Sequence, residues 1–291
     1  MSEDVASPLR LSVIVPTCNR SPSLARCLAA LANQTLPATD FQVIVVDDSG
    51  DPGEGDLLSE DAGIPDLQVV RHRENSGAAA ARNSGAHTAR APFLAFVDDD
   101  CVPDPKWASE LSTRLEKSRN AAFAGAVCVA EPQPPADRVT QLLSDPVQAS
   151  DGTIVRAQSA NLAVPADGFR AVGGFDESYF GAGYEDYDFC RRWRESGRRI
   201  LAAPRAVVLH QRDTTLREFC RQHYRYGLGA ALFYHQGTEG PHPPLRSTLR
   251  RMLQTIGAGR TVVEQIGYTG LVGLSQMAAL AGYAARRISK P

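Results

Sequence analysis

Three consecutive aspartates, Asp98-Asp99-Asp100, follow the apolar run FLAFV at 93–97. Carboxylates this close repel one another, and a divalent cation or a donor-rich ligand relieves the repulsion. Carboxylate oxygens suit Mg²⁺ or Mn²⁺, ions that commonly bridge to phosphate oxygens. An isolated Asp triplet is equally what a solvated acidic turn looks like, so its placement matters more than its composition. A second pair, Asp47-Asp48, ends the run FQVIVV at 41–46 and leads into Ser49-Gly50. A third set, Glu185-Asp186-Tyr187-Asp188, follows Gly183-Tyr184. Carboxylates in a first helical turn complement the helix dipole by roughly 0.3–1 kcal/mol each, so a structural reading stays open beside a chemical one. His210 closes the run VVLH at 207–210. Near an Asp-bound ion it is a further ligand, and otherwise a structural residue. His72, His87, His223, His235 and His242 have no such context in sequence.

The elements that must hold these residues are short and alternate. Short apolar runs at 11–15, 41–46, 67–71, 93–97, 121–129 and 206–210 read as strands. Between them lie helical segments starting at Ser21 or Ser23, over about 77–89 and 105–116, and from Glu185 to a stop at Gly197. Alternation of this kind predicts right-handed βαβ units in a mostly parallel α/β sheet. Ligands of such sheets bind outside the carboxyl ends of the strands. That edge collects Pro16-Thr17-Cys18-Asn19-Arg20, Asp47-Asp48 and Asp98 to Asp100, within reach of one nucleotide-sized ligand.

Residues 131–152, rich in Pro, Asp, Ser and Gln, read as a surface excursion, and the glycine-studded 168–185 as a long shaped loop. Beyond 213 the chain reads as helical, divided in two by PHPP at 241–244. The apolar stretch in 262–287 is short and interrupted by Ser275 and Gln276, which argues against a membrane span. A helix packed on the domain, on a partner or on a membrane surface fits better.

Composition narrows the class. With 43% apolar residues in 291, the chain can bury a sizeable core. A formal charge of −2 argues against a general nucleic-acid binder. Six cysteines without a CxxC pair read as buried or half-buried thiols in a reducing cytoplasm. No GxxxxGK[ST] loop, no GxGxxG after a strand and no GxSxG elbow occurs.

Six segments, in order, resemble the family 2 inverting glycosyltransferases of GT-A fold. They are SVIVPTCNR (12–20), VIVVDDSG (43–50), NSGAAAARNSG (75–85), FLAFVDDDCVPDP (93–105), GGFDESYFGAGYEDYDFCRRWRESG (173–197) and VVLH (207–210). The resemblance covers about 10–212, implying a GT-A domain there and a helical extension over 213–291.

The resemblance implies roles. Thr17 and Asp48 stand by the donor's base and ribose, with Asp48 accepting from the base, Pro16 and Arg20 shaping that pocket and Arg82 near the base or diphosphate. Asp98 and Asp100 match the outer positions of the family's Asp-x-Asp motif, with Asp99 between them. Asp98 leans towards ribose, while Asp100 and His210 hold Mn²⁺ or Mg²⁺. Asp186 matches the catalytic base, Glu185 orients the acceptor, and Arg192 follows on the same helix. Cys101 stands where many relatives carry a further acidic residue, a position read as peripheral. No lysine lies in these segments to neutralise a diphosphate, which strengthens the case for a metal.

The implied reaction moves a sugar, with inversion, from a UDP-sugar, or a dTDP- or GDP-sugar, to an acceptor hydroxyl. The acceptor is a carbohydrate, a lipid-linked sugar, a peptide or a natural product. The implied setting is cytoplasmic, with peripheral contact to the inner membrane face or a homodimer formed through the C-terminal helices. A sugar-1-phosphate nucleotidyltransferase would need a glycine-rich basic loop where PTCNR stands. A catalytically inactive sugar-nucleotide binder would have no need of Glu185-Asp186.

Overall fold

A computed structural model describes residues 9–19, 21–50, 63–129, 134–144, 147–149, 151–212, 214–236, 245–259 and 261–288. In chain order the first elements are β1 (Leu11–Thr17), α1 (Ser21–Ala32), β2 (Phe41–Asp47), β3 (Leu67–Arg71), α2 (Ala78–Thr88) and β4 (Phe93–Val97). Then come β5 (Cys101–Pro103), α3 (Trp107–Lys117), β6 (Ala121–Val129), α4 (Pro135–Ser144), β7 (Val147–Gln148), β8 (Ile154–Arg156) and β9 (Asn161–Pro165). The last are α5 (Ala166–Ala171), a 3₁₀ turn (Glu177–Tyr179), α6 (Glu185–Glu195), β10 (Arg199–His210), α7 (Leu216–Gln236), α8 (Leu245–Gly257) and α9 (Val262–Ile288).

The chain divides into two compact units, the first made of residues 1–128, 146–177 and 189–211. Its sheet has the order β3-β2-β1-β4-β9-β6-β10-β5. Strands β1 to β4 pair in parallel, whereas β9 runs antiparallel to both β4 and β6, and β10 antiparallel to β5. Continuous apolar runs suit strands covered on both faces, and alternation sorts each side chain to one layer. Val13 and Val15 of β1 join Leu24, Leu28 and Leu31 of α1 and Trp107 of α3 in one core, while Ile14 joins Phe96, Phe169, Phe189 and Trp193 in another. From β1 the chain moves to β2 on one side, and β4 lies on the other. That reversal marks the switch point where open sheets bind ligands.

The second unit comprises residues 129–145, 178–188 and 212–291. Its helices α7 and α9 touch backbone to backbone. A Cβ at Gly227 would lie 1.9 Å from the Ala279 carbonyl oxygen, and one at Gly282 2.0 Å from that of Tyr224, so only glycine fits either place. Ala136 and Val139 of α4 pack with Phe219 of α7 and with Tyr268 and Val272 of α9.

Several sequence expectations need correcting. The segment read as a surface excursion contains α4. Its Pro135 opens the helix, where a missing N–H costs nothing, and its apolar side is covered by α7 and α9. The loop read over 168–185 contains most of α5 and the 3₁₀ turn. Strand β10 starts at Arg199, well before 206, and continues past Pro204, which is exposed. The three-residue β5 was too short to carry a sequence signal. Among its described residues the C-terminal region has three helices, with a break between Gly257 and Val262; the break expected at 241–244 lies outside the described residues. Among the cysteines, Cys128 is exposed.

Candidate active site

The parallel register β1–β2 sets Thr17 beside Asp47, and β1–β4 sets Ile14 beside Phe96, so the loops after all three strands emerge at one edge. Three adjacent carboxylates emerge there from β4, and each has a different partner. Asp98 Oδ1 accepts from the Arg82 guanidinium of α2 at 2.8 Å. Asp99 Oδ2 accepts from Thr17 Oγ1, at the end of β1, at 2.7 Å. Asp100 Oδ1 lies 3.0 Å from His210 Nε2. A turn in which the Cys101 N–H donates to the Asp98 carbonyl aims the three side chains apart. The repulsion foreseen from sequence is thus met by a cation, a hydroxyl and an imidazole.

The tertiary pairing brings in His210. Antiparallel β10–β5 pairing sets His210 opposite Cys101, and the Gln211 N–H donates to the Asp100 carbonyl. Among the described residues, Asp100, Cys101 and His210 offer a carboxylate oxygen, a thiol sulfur and an imidazole nitrogen, all within 4.8 Å of one another. This mixed donor set fits a divalent transition ion, with sulfur tilting it from Mg²⁺ towards softer ions. Cys101 is therefore not peripheral in position. Beneath the acidic turn, burial pushes the Cys27 thiol of α1 well above its ordinary range, and the charges of Asp99, Asp100 and Asp98 push the same way.

Asp48 is buried and fully engaged. Its Oδ1 accepts from the Ser76 N–H at 2.8 Å and meets His72 Nδ1 at 2.8 Å, while Oδ2 accepts from the Gly77 N–H at 2.7 Å. Those N–H groups stand at the start of α2, where a carboxylate answers unpaired donors and the helix dipole. Asn75 Nδ2 donates to the Asp48 carbonyl at 2.7 Å and contacts Cys18 Sγ at 3.3 Å, which ties the loops after β1 and β2 to the segment before α2. His72, dismissed in the sequence, also meets Ser84 Oγ at 2.9 Å. Twenty-four residues separate it from Asp48, so no local pattern could reveal the pair. Pro16 is half-buried within β1, and Arg20 lies outside the described residues.

In the second unit, Glu185 and Asp186 are half-buried in the first turn of α6. Asp186 Oδ1 accepts from the Tyr187 N–H at 2.8 Å. The turn is entered through Tyr184 at φ 80°, a left-handed conformation that costs a bulky residue energy. The rings of Tyr187 and Phe233, 5.0 and 5.9 Å away, hold Tyr184 in place. Gly183 packs against the Tyr226 ring of α7, where a Cβ would come within 2.7 Å. Burial raises the Tyr226 phenol above its ordinary range, against the opposing charge of Arg212, and the carboxylates of Asp186 and Glu185 add to the rise. Sequence reading missed Tyr226, and its spacing from Asp186 carries no local signal. Arg192 binds the carbonyls of Val172 and Gly174 at 2.6 and 2.8 Å, so it braces the glycine-rich segment of the first unit.

The sequence model of glycosyl transferase family 2 matches residues 12–163, from β1 into β9. The chain belongs to that family. A second model, glycosyl transferase family group 2, matches residues 138–282. Among curated relatives of this family 2 chain, the pre-mycofactocin glycosyltransferase of Mycobacterium tuberculosis is 32% identical over 231 residues, covering 76% of the chain and 47% of that protein. The chain thus spans about half the length of that relative. A mannosyltransferase from Pyrobaculum calidifontis, solved in complex with GDP-Man and Mn²⁺, matches with a TM-score of 0.67 at 17% identity, over 98% of this chain and 89% of its own. TarS 1–349 of S. aureus, in complex with UDP, matches with a TM-score of 0.52 at 17% identity, over 97% and 91%. At such identities the likeness speaks to fold, and the fold is GT-A.

Proposed function

We propose that this family 2 chain transfers a sugar from a nucleoside-diphosphate sugar to an acceptor hydroxyl with inversion. The observation that carries the reading is the acidic turn after β4, at the sheet's switch point, with Asp100 sharing a three-donor cluster with His210 and Cys101. We assign residues 10–212 to the transferase domain and 213–291 to a helical extension.

Asp100 and His210, with Cys101 as a third donor, would hold a divalent ion. Bound there, the ion supplies positive charge to a diphosphate leaving group, an effect of several kcal/mol. Asp98, braced by Arg82, faces the donor's ribose, and Thr17 keeps Asp99 turned towards β1. Asp48 shapes the loop that receives the base by fixing the start of α2. Pro16 and Arg20 belong to the same pocket.

Asp186 is the proposed base, and Glu185 orients the acceptor. The acceptor oxygen attacks the anomeric carbon and gives its proton to Asp186. The bond from that carbon to the diphosphate breaks on the opposite face, so the nucleoside diphosphate departs with the bonding pair and the configuration inverts. A positioned base contributes roughly 10²–10⁴-fold to such a step. UDP is the first donor nucleotide to test, with dTDP and GDP next. The acceptor class is a carbohydrate, lipid-linked sugar, peptide or natural product, met on the cytoplasmic side.

The test is a thermal-shift series with UDP, dTDP and GDP, each with and without Mn²⁺. A ligand of the native state raises apparent stability by mass action. A shift with one nucleotide that requires the ion supports the reading. No shift with any nucleotide overturns it.

A further inference from the structure

Helix α9 carries an exposed face that its own unit leaves uncovered. Tyr268, Val272, Ser275 and Gly282 are buried on one side. At 100° per residue, the opposite side presents Val263, Ile266, Gly270, Gly273, Met277 and Leu280. The four larger side chains are 79%, 68%, 62% and 67% exposed. A Cβ at Gly270 or Gly273 would meet nothing within 4 Å, so internal packing does not explain these glycines. From Gln265 to Ala285 the helix has no charged residue at all. Five uncharged turns facing water call for a cover. On α8, Leu249 and Leu253 are exposed one turn apart, at 52% and 59%, beside the exposed Arg250.

Charge selects what covers this face. From residue 212 onward the chain carries eleven Arg and Lys against four Asp and Glu, a net +7, whereas the whole chain is −2 and residues 1–211 carry −9. Such asymmetry within one chain points to an anionic surface. A second copy is the poorer fit. The stripe is about 25 Å long and about 10 Å wide, so it offers roughly 250 Å², about a third of what each partner gives to a standard interface. Pairing two copies would also bring like charges together. No helix among the described residues is long and apolar enough to cross a membrane.

We propose that α9, flanked by the basic residues of the C-terminal region, lies on the surface of an anionic bilayer with its uncharged face in the headgroup layer. Helices of this kind bury their apolar side by about 5–10 Å, and their affinity combines buried area with attraction to anionic lipid. The inference stands on the exposed faces of α8 and α9 and on the charge of residues 212–291, and does not depend on the transferase reading.

The test is co-sedimentation of the full chain with phosphatidylcholine vesicles, with and without phosphatidylglycerol, at low and high salt. Binding is expected only with phosphatidylglycerol, and weaker at high salt. The variant M277E/L280E changes two exposed positions, and its fold is checked by circular dichroism and melting temperature. Its partitioning is expected to fall by about tenfold or more. A second variant, R286E/R287E, removes charge without touching the apolar stripe and is expected to lose binding in the same direction. The proposal is overturned by failure to bind either vesicle, by equal binding to both, or by binding that M277E/L280E leaves unchanged. Light scattering decides the remaining case: a concentration-dependent dimer that M277E/L280E abolishes would make a second copy the cover and overturn the membrane assignment.

Discussion

Replacing Asp48 by asparagine separates a scaffolding role from a ligand-binding one. The aspartate carboxylate takes three donors, from His72 and Ser76 on one oxygen and from Gly77 on the other. Asparagine has the same shape but only one acceptor oxygen. Whichever way the amide turns, its NH₂ group faces a backbone N–H. One charge-assisted bond is lost, worth about 1.5–3 kcal/mol, and a buried donor is left unpaired at about 1–3 kcal/mol. Taking the low end of each, Asp48→Asn should cost about 2.5 kcal/mol of stability. Urea unfolding followed by circular dichroism measures this, provided the slope with denaturant stays constant. Nucleotide affinity should fall too, because the loop after β2 and the start of α2 share this anchor. A loss under about 0.5 kcal/mol would refute the reasoning, since a carboxylate at the centre of three bonds cannot be that dispensable. Unchanged stability with lost nucleotide binding would instead mark Asp48 as a residue that serves the ligand alone.

Three further outcomes are expected. Asp186→Asn should lower kcat by roughly 10²–10⁴-fold while donor affinity, read by calorimetry, stays near wild type; equal loss of both would move Asp186 into the donor site. Asp100→Ala should abolish metal-dependent nucleotide binding and His210→Ala should weaken Mn²⁺ affinity less; an unchanged Mn²⁺ titration in both would return the pair to a purely structural contact. His223 is buried against Phe219, which pushes its imidazole down from 6.5 to about 4. With the folded value depressed, the unfolded chain binds the extra proton between those values. Stability is therefore full above pH 6.5 and falls by about 3 kcal/mol as the pH drops to about 4. Urea unfolding of wild type and His223→Asn across pH 7 to 4.5 checks the sign, and identical pH dependence in the two would contradict it.

The apolar runs with abrupt polar exits announced β1, β2 and β4, because a strand buried on both faces must be apolar throughout and its polar exit must be abrupt. For the same reason Asp48, Asp98 to Asp100 and the Glu185-Asp186 pair could be singled out: each stands at the end or start of an element whose period is readable. The helix α4 and the strand β5 were not readable, since α4 depends on an apolar cover supplied by distant helices and β5 is three residues long. Residue type and spacing assigned the three aspartates to one group without dividing them, and the family resemblance set only Asp98 by the ribose and Asp100 with His210 at one ion. That division was decided by contacts between residues far apart in the chain, Thr17 with Asp99 across 82 positions and His210 with Asp100 across 110. His72 beside Asp48 and Tyr226 beside the Glu185-Asp186 turn belong to the same class. The sequence by itself determined which segments are strands, which residues stand at their ends and what chemistry those residues can do, because these follow from local period and residue type. Only the tertiary structure decided which carboxylate meets the guanidinium, which meets the Thr17 hydroxyl and which is spent on a helix start, because register and strand order set those distances and no local pattern encodes them.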